Sequence, residues 1–351
     1  MIVFGQLNYT KIRRFHAIFM PVIIEFSRCI GTYSSAKFEL YSLCGISNIG
    51  GNNMAFIKVD KKNIYYEEYG DRGKPTIVYL HGGPGESCLT YSYQAKELGK
   101  IFHVISFDQY GVFRSDAILE DEVAGVFFHV ELIEKMRIAL DIKSWIPLGH
   151  SFGGMLALIY AHCYPDSIDA VIYDCPMWSA FHTARAIALA VKPYYEQKEM
   201  NVQLELVDEI LKDTISPREA FMKAMTIEFD NGLDRFCHVI ESDRYNAYIN
   251  EHISDPQVSD ECWGKYISFR QKIFEAEDFY GDYLQYLCKI DKPQLLIVGE
   301  YDMTCGSYEQ EWFKKNVQNG TVQILENSAH LSWFEYPEKY TELVTCFVDA
   351  V

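Results

Sequence analysis

Residues 145–155 read Trp-Ile-Pro-Leu-Gly-His-Ser-Phe-Gly-Gly-Met. A short apolar run, a turn of small residues and an apolar helical stretch follow one another here, which predicts a strand, a sharp turn and a helix. Ser151 stands at the turn between Gly149 and Gly153, whose lack of side chains leaves room for a tight backbone path. The pattern predicts that the Ser151 hydroxyl is exposed at the carboxyl edge of a sheet, beside a helix start that favours developing negative charge.

A glycine-rich loop is found upstream of this turn. Residues 81–85 read His-Gly-Gly-Pro-Gly and follow the β-rich run 76–80. Consecutive glycines let backbone N–H groups point into a cavity without a Cβ atom in the way. Acyl transfer needs two such donors around an oxyanion, and we assign them to the N–H groups of Phe152 and Gly83, with Gly82 as a substrate-binding residue. The alternative is an ordinary glycine turn.

A serine nucleophile needs a base and a carboxylate that orients the base. After a serine turn of this kind, the acid comes first along the chain and the histidine follows. Asp302 comes shortly after the apolar run 294–298, and His330 comes after the run 321–325. Parallel strands end at one sheet edge, so we predict that Asp302 and His330 converge on Ser151 as its orienting acid and its base.

Other residues of these types have weaker claims. Asp174 and Glu300 are alternative acids by their position in the chain. The remaining nine histidines are assigned packing or surface roles. Among them, His81 is expected to brace the glycine loop, and the side chain of His150 is expected to point away from the serine hydroxyl because the turn is sharp.

Strand-like runs alternate with helical stretches along most of the chain. This alternation predicts an α/β fold, with a mostly parallel sheet and helices on both faces, formed by residues 54–175 and 290–351. Residues 176–289 interrupt the rhythm with helix-forming, acidic and aromatic sequence and without convincing strands. This stretch predicts a helical cap inserted over the strand ends, where ligands bind in such sheets.

The first 53 residues differ from the rest in charge. They hold five basic and two acidic residues, a net charge of +3, whereas the other 298 residues carry −20. We interpret residues 1–53 as an N-terminal extension that need not belong to the native fold. A targeting segment and, with less support, a membrane anchor are the alternatives, since the apolar stretch 15–26 is shorter than a membrane span and is interrupted.

Composition excludes several classes of function. An isoelectric point near 5.0 argues against nucleic acid as a partner, because a phosphate-binding surface needs clustered lysine and arginine. The ten cysteines form no Cys-x-x-Cys pair, which disfavours zinc ribbons and indicates buried thiols in a reducing compartment, so we expect a cytoplasmic protein. We expect no metal, no cofactor and no membrane partner, and the sequence leaves the oligomeric state open.

Together the motifs resemble the α/β-hydrolase superfamily. They comprise the glycine loop at 81–85, Asp-Gln-Tyr-Gly-Val-Phe-Arg-Ser at 108–115, the serine turn at 149–153, Gly-x-x-Asp at 299–302 and Ala-His at 329–330. Within that superfamily they are similar to the prolyl aminopeptidase, or proline iminopeptidase, family. The resemblance runs from about Met54 to the C-terminus in all but the cap.

The resemblance implies a serine hydrolase that removes an N-terminal residue, often proline, from short peptides. In that family, glutamates of the cap bind the free α-amine of the substrate. Glu228 is the nearest match to the family's cap signature and is our candidate amine anchor, and Glu275 or Glu277 is a candidate second carboxylate. The chain departs from the family pattern at Phe113, where a glycine is usual, and at His150 in the serine turn.

Two other functions stay open at this point. The same catalytic groups could act on a small ester, a lactone, an amino-acid amide or a carbon–carbon bond, because the cap signature is weak. A non-catalytic ligand receptor or scaffold on this fold is the third reading. An acidic cap would attract a cationic amine, although the same charge also serves solubility.

Overall fold

The described residues of the computed structural model are 53–227 and 259–351. The predicted extension therefore lies outside them except for its last residue, and so does the candidate amine anchor Glu228. The strands are β1 Asn53–Val59, β2 Lys62–Tyr69, β3 Thr76–Leu80, β4 His103–Phe107, β5 Ile146–His150, β6 Val171–Asp174, β7 Gln294–Gly299 and β8 Gly320–Leu325.

These eight strands form one sheet in the order β1-β2-β4-β3-β5-β6-β7-β8. β2 pairs antiparallel with β1 and with β4, and the other pairs in the sheet are parallel. Asp60 and Lys61 join β1 to β2 with positive φ angles of 48° and 71°, the conformation of a two-residue hairpin turn. The strand-like runs 56–59 and 64–69 around residues 60–63 predict a hairpin, and both this hairpin and the mostly parallel sheet are confirmed.

The strands alternate with helices, as the sequence predicts. The helices of the described residues are α1 Ser92–Leu98, α2 Val126–Ala139, α3 Phe152–Cys163, α4 Ala180–Gln197, α5 Asn201–Ile210, α6 Pro217–Ala224, α7 Asp260–Glu275, α8 Leu284–Leu287, α9 Ser307–Asn316, α10 Ser332–Glu335 and α11 Pro337–Val348. None of them is both long enough and apolar enough to cross a membrane.

The sheet has an apolar layer on each face because side chains alternate along a strand. In β3, Val78 and Leu80 belong to the layer that includes residues of α2 and α3. Ile77 and Tyr79 belong to the opposite layer, with residues of α1 and α11. Burial on both faces explains why the central strands are mostly apolar rather than alternately apolar and polar.

Two helix boundaries differ from the sequence prediction. The apolar spacing of residues 121–140 predicts one helix, but this helix begins only at Val126, because Gly125 is extended and precedes the first turn. The sequence of residues 333–348 also predicts one helix, but the structure divides it into α10 and α11. The break falls at Tyr336, whose φ and ψ of −131° and 65° are not helical, because the residue before a proline is displaced from the helical region by Pro337.

The segment 176–289, which we call the insert, leaves the sheet after β6 and returns before β7. Its described part contains α4 to α8 and no strand that joins the sheet. Ser179 and Asp282, near its two ends, form an isolated antiparallel bridge. Helix α7 lies against the glycine loop, since a Cβ atom on Gly85 would be 3.0 Å from a ring carbon of Tyr266. The insert therefore touches the sheet edge that carries the candidate site.

Candidate active site

Ser151 lies in a strained turn between β5 and α3. Its φ of 54° and ψ of −119° are unusual for a residue with a side chain. The Ser151 N–H donates to the carbonyl of Asp174 at 3.0 Å, and its carbonyl accepts from the N–H of Met177 at 2.9 Å. The turn is thus fastened to the residues that follow β6, which hold the serine in this conformation.

The glycines around Ser151 are required by close backbone approach. A Cβ atom on Gly149 would lie 2.2 Å from the carbonyl oxygen of Gly153. One on Gly153 would lie 1.9 Å from the carbonyl oxygen of Leu80. Real Cβ atoms do not approach backbone oxygens so closely, so these positions exclude any side chain and let α3 start directly against the sheet.

Strand order brings the predicted residues to one edge. β5, β6, β7 and β8 are consecutive neighbours in the sheet and run parallel. Ser151 follows β5, Asp302 follows β7 and His330 follows β8. The glycine loop follows β3, which is the other neighbour of β5. The carboxyl edge therefore carries the serine, the acid, the histidine and the glycine loop side by side.

Asp302 and His330 form a buried hydrogen-bonded pair. His330 Nδ1 lies 2.7 Å from Asp302 Oδ1, and His330 and Asp302 are 5% and 8% exposed. The N–H groups of Thr304 and Cys305 donate to the two carboxylate oxygens at 3.1 and 2.9 Å. Burial alone would raise the pKa of Asp302, but the charge and hydrogen bond of His330 and these two N–H groups outweigh it and lower the pKa. An ionised Asp302 holds Nδ1 and leaves Nε2 of the ring available for proton transfer.

The loop that carries His330 is held by α10. The carboxylate of Glu335 accepts hydrogen bonds from the N–H of Ala329 at 2.6 Å and from the Ser328 hydroxyl at 2.7 Å. The loop also packs on the end of β7, where a Cβ atom on Gly299 would be 2.1 Å from the Ala329 carbonyl oxygen. These contacts fix the backbone on both sides of the histidine.

The two alternative acids have other partners. Asp174 Oδ2 lies 2.9 Å from Nδ1 of His150, not of His330. Glu300 accepts a hydrogen bond from the N–H of Asn327 at 2.8 Å on the exposed side of the loop. Asp302 is thus the carboxylate that contacts His330.

The glycine loop at 81–85 packs closely against the turn that carries Ser151. A Cβ atom on Gly82 would lie 3.0 Å from Cβ of Ser151, and Gly83 has a φ of 113°, which only glycine adopts readily. The Gly83 N–H donates to no other group of the described chain. Phe152 is the first residue of α3, so its N–H has no partner within the helix. Both predicted oxyanion donors therefore belong to segments that touch Ser151 or adjoin it.

His81 braces this loop, as the sequence predicts. Its Nε2 accepts from the N–H of Gln109 at 3.0 Å, and its carbonyl accepts from the Gln109 side chain at 2.9 Å. Burial lowers the pKa of His81 to about 4, so the ring is neutral and can accept this hydrogen bond.

A buried ion cluster supports the other end of the loop. Asp108 accepts from the Ser87 hydroxyl at 2.6 Å and from the N–H of Cys88 at 3.0 Å. Arg114 Nε contacts Asp108 at 2.7 Å, and Arg114 Nη1 contacts Glu67 at 3.0 Å. The Arg114 charge and these hydrogen bonds overcome the effect of burial and lower the pKa of Asp108 to about 2. The motif at 108–115 is therefore a support for the glycine loop.

The candidate second carboxylates lie on the surface of the insert. Glu277 pairs with Arg218 at 2.9 Å, and its side chain is 84% exposed. Glu275 is also at the surface and accepts a hydrogen bond from Gln271 at 2.9 Å. The structure does not bring either of them into contact with Ser151, and Glu228 lies outside the described residues.

One group of side chains within the described residues could offer ligand atoms to a metal ion. These are Cys175, Asp302 and His330, whose ligand atoms lie within 4.8 Å of one another. Asp302 and His330 are already hydrogen-bonded to each other. Burial also raises the pKa of the Cys175 thiol well above its usual value, so a metal would have to displace a proton and break the pair.

Sequence reasoning missed two participants in this region, Glu335 and Cys175, and it missed the partner of Asp174, which it offered as an alternative acid. Glu335 has no motif that would reveal it, because it acts through the backbone of the histidine loop. Asp174 and Cys175 did carry a signal, since both follow a central strand at the same edge. The pairing of Asp174 with His150 crosses between strands, and no spacing in the sequence expresses it.

The chain matches a family model described as the alpha/beta hydrolase fold over residues 75–337. The proline iminopeptidase of Heyndrickxia coagulans is 26% identical over 308 residues, which cover 84% of this chain and 98% of that protein.

Solved structures show the same fold. The proline iminopeptidase-related protein of Thermus thermophilus superposes with a TM-score of 0.63 at 23% identity and covers 86% of this chain and 99% of its own. A thermophilic esterase from Thermogutta terrifontis superposes with a TM-score of 0.58 at 19% identity and covers 85% of this chain and 98% of its own. At these identities the two structures inform the fold alone.

Proposed function

The chain belongs to the alpha/beta hydrolase fold family of enzymes, and from that premise we propose that it is a serine aminopeptidase that releases an N-terminal residue, with a preference for proline, from short peptides or amides. The similarity to proline iminopeptidases over most of the chain supports this substrate class. We also propose a cytoplasmic location, because the ten cysteines are spread along the sequence and none of them forms a Cys-x-x-Cys pair.

The observation that carries the proposal is the arrangement at the carboxyl edge of the sheet. Ser151 stands in a strained turn, and the buried Asp302–His330 pair follows two neighbouring strands at the same edge. A buried histidine oriented by an ionised carboxylate is the environment that a serine nucleophile requires.

In the proposed reaction, Ser151 Oγ attacks the carbonyl carbon of the scissile bond while His330 Nε2 takes the hydroxyl proton. Asp302 keeps Nδ1 of the ring protonated and stabilises the imidazolium that forms. His330 then donates its proton to the leaving amine, and an acyl-enzyme remains on Ser151. A water molecule, activated by the same histidine, hydrolyses this ester. Each step uses groups of the chain itself.

The oxyanion would be stabilised by the N–H groups of Phe152 and Gly83, with Gly82 packed beside the nucleophile. Preorganised donors of this kind act without reorganisation, and the loss of one costs about 100- to 1,000-fold in rate. Buried His81 and the Arg114 cluster hold the loop that supplies one donor.

We propose Glu228 as the group that binds the free α-amine of the substrate. A carboxylate at that position would favour exopeptidase action, because it would pair with the charged N-terminal amine of the substrate. The −20 net charge of residues 54–351 favours the approach of such a cation.

The first test is the replacement Ser151→Ala. It should lower hydrolysis by several orders of magnitude and leave the melting temperature within a few degrees of the wild type. Labelling of the wild type by a fluorophosphonate probe, and no labelling of the variant, would identify the nucleophile. A variant that keeps near-full activity would contradict the assignment.

The second test separates peptidase from esterase. Aminoacyl-arylamides, proline among them, are compared with their N-acetylated forms and with p-nitrophenyl esters. The proposal expects strong preference for the free amine and loss of that preference in Glu228→Gln. Hydrolysis confined to plain esters or N-blocked substrates would favour a small ester or lactone as the substrate.

A further inference from the structure

An arginine of the insert lies against the glycine loop. Arg270 belongs to α7, and its Cγ atom would be 3.4 Å from a Cβ atom on Gly85. Gly85 is two residues from Gly83, whose N–H is a proposed oxyanion donor, so the Cα atoms of the two glycines are at most about 7 Å apart. The half-buried side chain of Arg270 therefore stands beside the proposed site.

The guanidinium is held by aromatic residues of its own helix. Arg270 Nη1 donates to the Tyr266 hydroxyl at 2.5 Å, and Cζ lies 5.4 Å from the ring centroid of Tyr266 and 5.3 Å from that of Phe274. These rings are four residues before and after Arg270, so the three side chains share one face of α7. Among the described residues, the Tyr266 hydroxyl is the only hydrogen-bond partner of the guanidinium, so most of its N–H donors remain for a ligand.

The other five arginines of the described residues each pair with a carboxylate. The pairs are Arg72 with Glu68, Arg114 with Asp108, Arg137 with Glu134, Arg185 with Asp213 and Arg218 with Glu277. No ion pair joins Arg270 to an acidic group of the described residues, although Glu86 is the residue next to Gly85 in the chain. Residues 54–351 carry a net charge of −20, so acidic partners are abundant, and a guanidinium left without one is suited to an anion from outside the chain.

Helix α7 is fastened to the core on both sides of Arg270. Lys265 Nζ donates to the carbonyl of Ser115 at 3.0 Å, and Lys272 Nζ donates to the carbonyl of Glu120 at 2.6 Å. The two lysines of the helix thus bind the core, and the arginine between them does not. The position of Arg270 against the glycine loop is therefore fixed by the fold.

The charge of Arg270 decides which end of a substrate can lie beside it. The substrate of the proposed reaction carries a cationic α-amine on the acyl side of the scissile bond, and a guanidinium repels that group. The leaving side is the one that can approach Arg270. In a dipeptide this side ends in a carboxylate one residue beyond the scissile bond, which is about 3.3–3.6 Å of extended chain. A guanidinium binds a carboxylate through two parallel N–H donors.

We propose that Arg270 binds the C-terminal carboxylate of a dipeptide, so that dipeptides with a free carboxylate are the preferred peptides of the enzyme. The inference rests on the proposed function, in which the acyl residue carries a free α-amine. A longer peptide places an uncharged peptide group at the same point and gains less from the guanidinium. Arg270 is thus a specificity-determining residue for the leaving side of the substrate.

The experiment compares three substrates with an N-terminal proline, which are prolyl-alanine, prolyl-alanine amide and prolyl-p-nitroanilide. For the wild type, kcat/KM should be about 10- to 100-fold higher on the free dipeptide than on its amide, because only the free form makes hydrogen bonds between two charged groups. Arg270→Gln should bring these two values together and leave kcat/KM on the p-nitroanilide within a factor of about two. Arg270→Lys keeps the charge without the planar fork and should retain part of the preference.

Arg218→Gln is the matched control. Arg218 is also in the insert and lies over a tyrosine ring, with Cζ 5.4 Å from the Tyr280 centroid, but its charge is paired with Glu277. This variant should keep the wild-type ratio between the free and the amidated dipeptide. Thermal unfolding of each variant establishes that it is folded.

The outcomes are distinct. Equal kcat/KM of the wild type on the free and the amidated dipeptide would overturn the inference, and so would an unchanged ratio in Arg270→Gln. If Arg270→Gln does not fold, Arg270→Lys decides, since an unchanged ratio there would mean that no planar guanidinium holds the carboxylate. A preference for acidic N-terminal residues that is lost in Arg270→Gln would place the anion on the acyl side and also overturn the inference. Absence of prolyl-p-nitroanilide hydrolysis by the wild type would instead contradict the proposed function.

Discussion

At Asp302, burial and hydrogen bonding act on one carboxyl group in opposite directions. The contacts from His330, Thr304 and Cys305 outweigh burial and lower the pKa of Asp302. The carboxyl group is therefore an anion, which orients the histidine ring. Asp302→Asn keeps the size of the side chain but places an amide against Nδ1, which favours the wrong tautomer of the ring. We expect kcat to fall by about 10,000-fold with little change in stability, as measured by steady-state kinetics and thermal unfolding.

Glu300→Gln is the control for this prediction. Glu300 is two residues away and is also a carboxylate, but it binds the N–H of Asn327 on the exposed side of the loop. The activity of the Glu300→Gln variant should stay within a factor of about two of the wild type. If Asp302→Asn retained wild-type activity while Glu300→Gln lost it, the acid would have been assigned to the wrong residue.

The candidate triad could be predicted from the sequence because each residue follows a strand that the pattern identifies. Parallel strands end at one edge, so placement after β5, β7 and β8 was enough to predict that Ser151, Asp302 and His330 lie at the same edge of the sheet. The partner of His150 could not be predicted in this way. It depends on the direction of a side chain next to a turn with positive φ, and that direction has no signature in residue spacing.

At the scale of single elements, α10 is a support for the histidine loop rather than a part of the final helix. The carboxylate of Glu335 accepts two hydrogen bonds from residues 328–329. Glu335→Gln removes the charge and one acceptor, which costs about 1.5–3 kcal/mol for hydrogen bonds to a charged group. We expect kcat to fall about tenfold with KM nearly unchanged, because the variant misplaces His330 without touching substrate.

Glu342→Gln, in α11, is the comparison for this variant. Glu342 is 60% exposed and pairs with Lys339 at 2.9 Å on the surface. Exposed pairs of this kind contribute about 0–1 kcal/mol, so neither kcat nor stability should change noticeably. Equal kinetic effects of the two substitutions would argue against a role for α10 in placing the histidine.

The loop from β4 to α2 depends on Arg114, whose side chain is 6% exposed between Asp108 and Glu67. Arg114→Met leaves two carboxylates buried without their cation, and breaking such a pair costs about 3–5 kcal/mol. Urea unfolding should show this loss, whereas Arg218→Met, at an exposed ion pair, should change the free energy of unfolding by no more than about 1 kcal/mol. Similarly small changes in the free energy of unfolding for Arg114→Met and Arg218→Met would contradict the supporting role of the Arg114 cluster.

Element boundaries were predicted less well than the elements themselves. The predicted start of α2 was about five residues early, because polar sequence before Gly125 continues a helical spacing without forming the helix. The sequence does not reveal the break before Pro337, because apolar residues on both sides of it follow the same helical spacing. In both cases a single glycine or proline overrides a pattern that is spread over many residues.

At the scale of the whole molecule, alternation of strands and helices predicted the mostly parallel sheet, and this prediction is confirmed. The strand order was not predicted, and it places β4 between β2 and β3. Neighbouring strands in a buried sheet are all apolar, so their sequences do not specify which of them pair.

Buried histidines should make the stability of the whole fold depend on pH. Burial lowers the pKa of His81 to about 4 and that of His129 to about 3, whereas both would titrate near 6.5 in the unfolded chain. As pH falls below 6.5, the two histidines bind protons in the unfolded state but not in the folded state. Stability is therefore lost progressively until the pH reaches the pKa values of the folded protein. His150, with its raised pKa, acts in the opposite sense and only above 6.5.

Each of these two histidines should contribute a slope of about 1.4 kcal/mol per pH unit between pH 6 and pH 4. His129 is 2% exposed, its Nε2 has no hydrogen-bond partner among the described residues, and its ring packs on Phe269. His129→Leu replaces it with an apolar group of similar size, so urea unfolding at several pH values should show the slope reduced by about 1.4 kcal/mol per pH unit without a loss of stability at pH 7. Carboxylates with low pKa values, such as Asp108, add their own loss mainly below about pH 5, so the slopes of the two proteins are compared between pH 6 and pH 5. An unchanged slope in His129→Leu would mean that this histidine takes up its proton in the folded protein as readily as in the unfolded chain, and its burial would then not be the source of acid sensitivity.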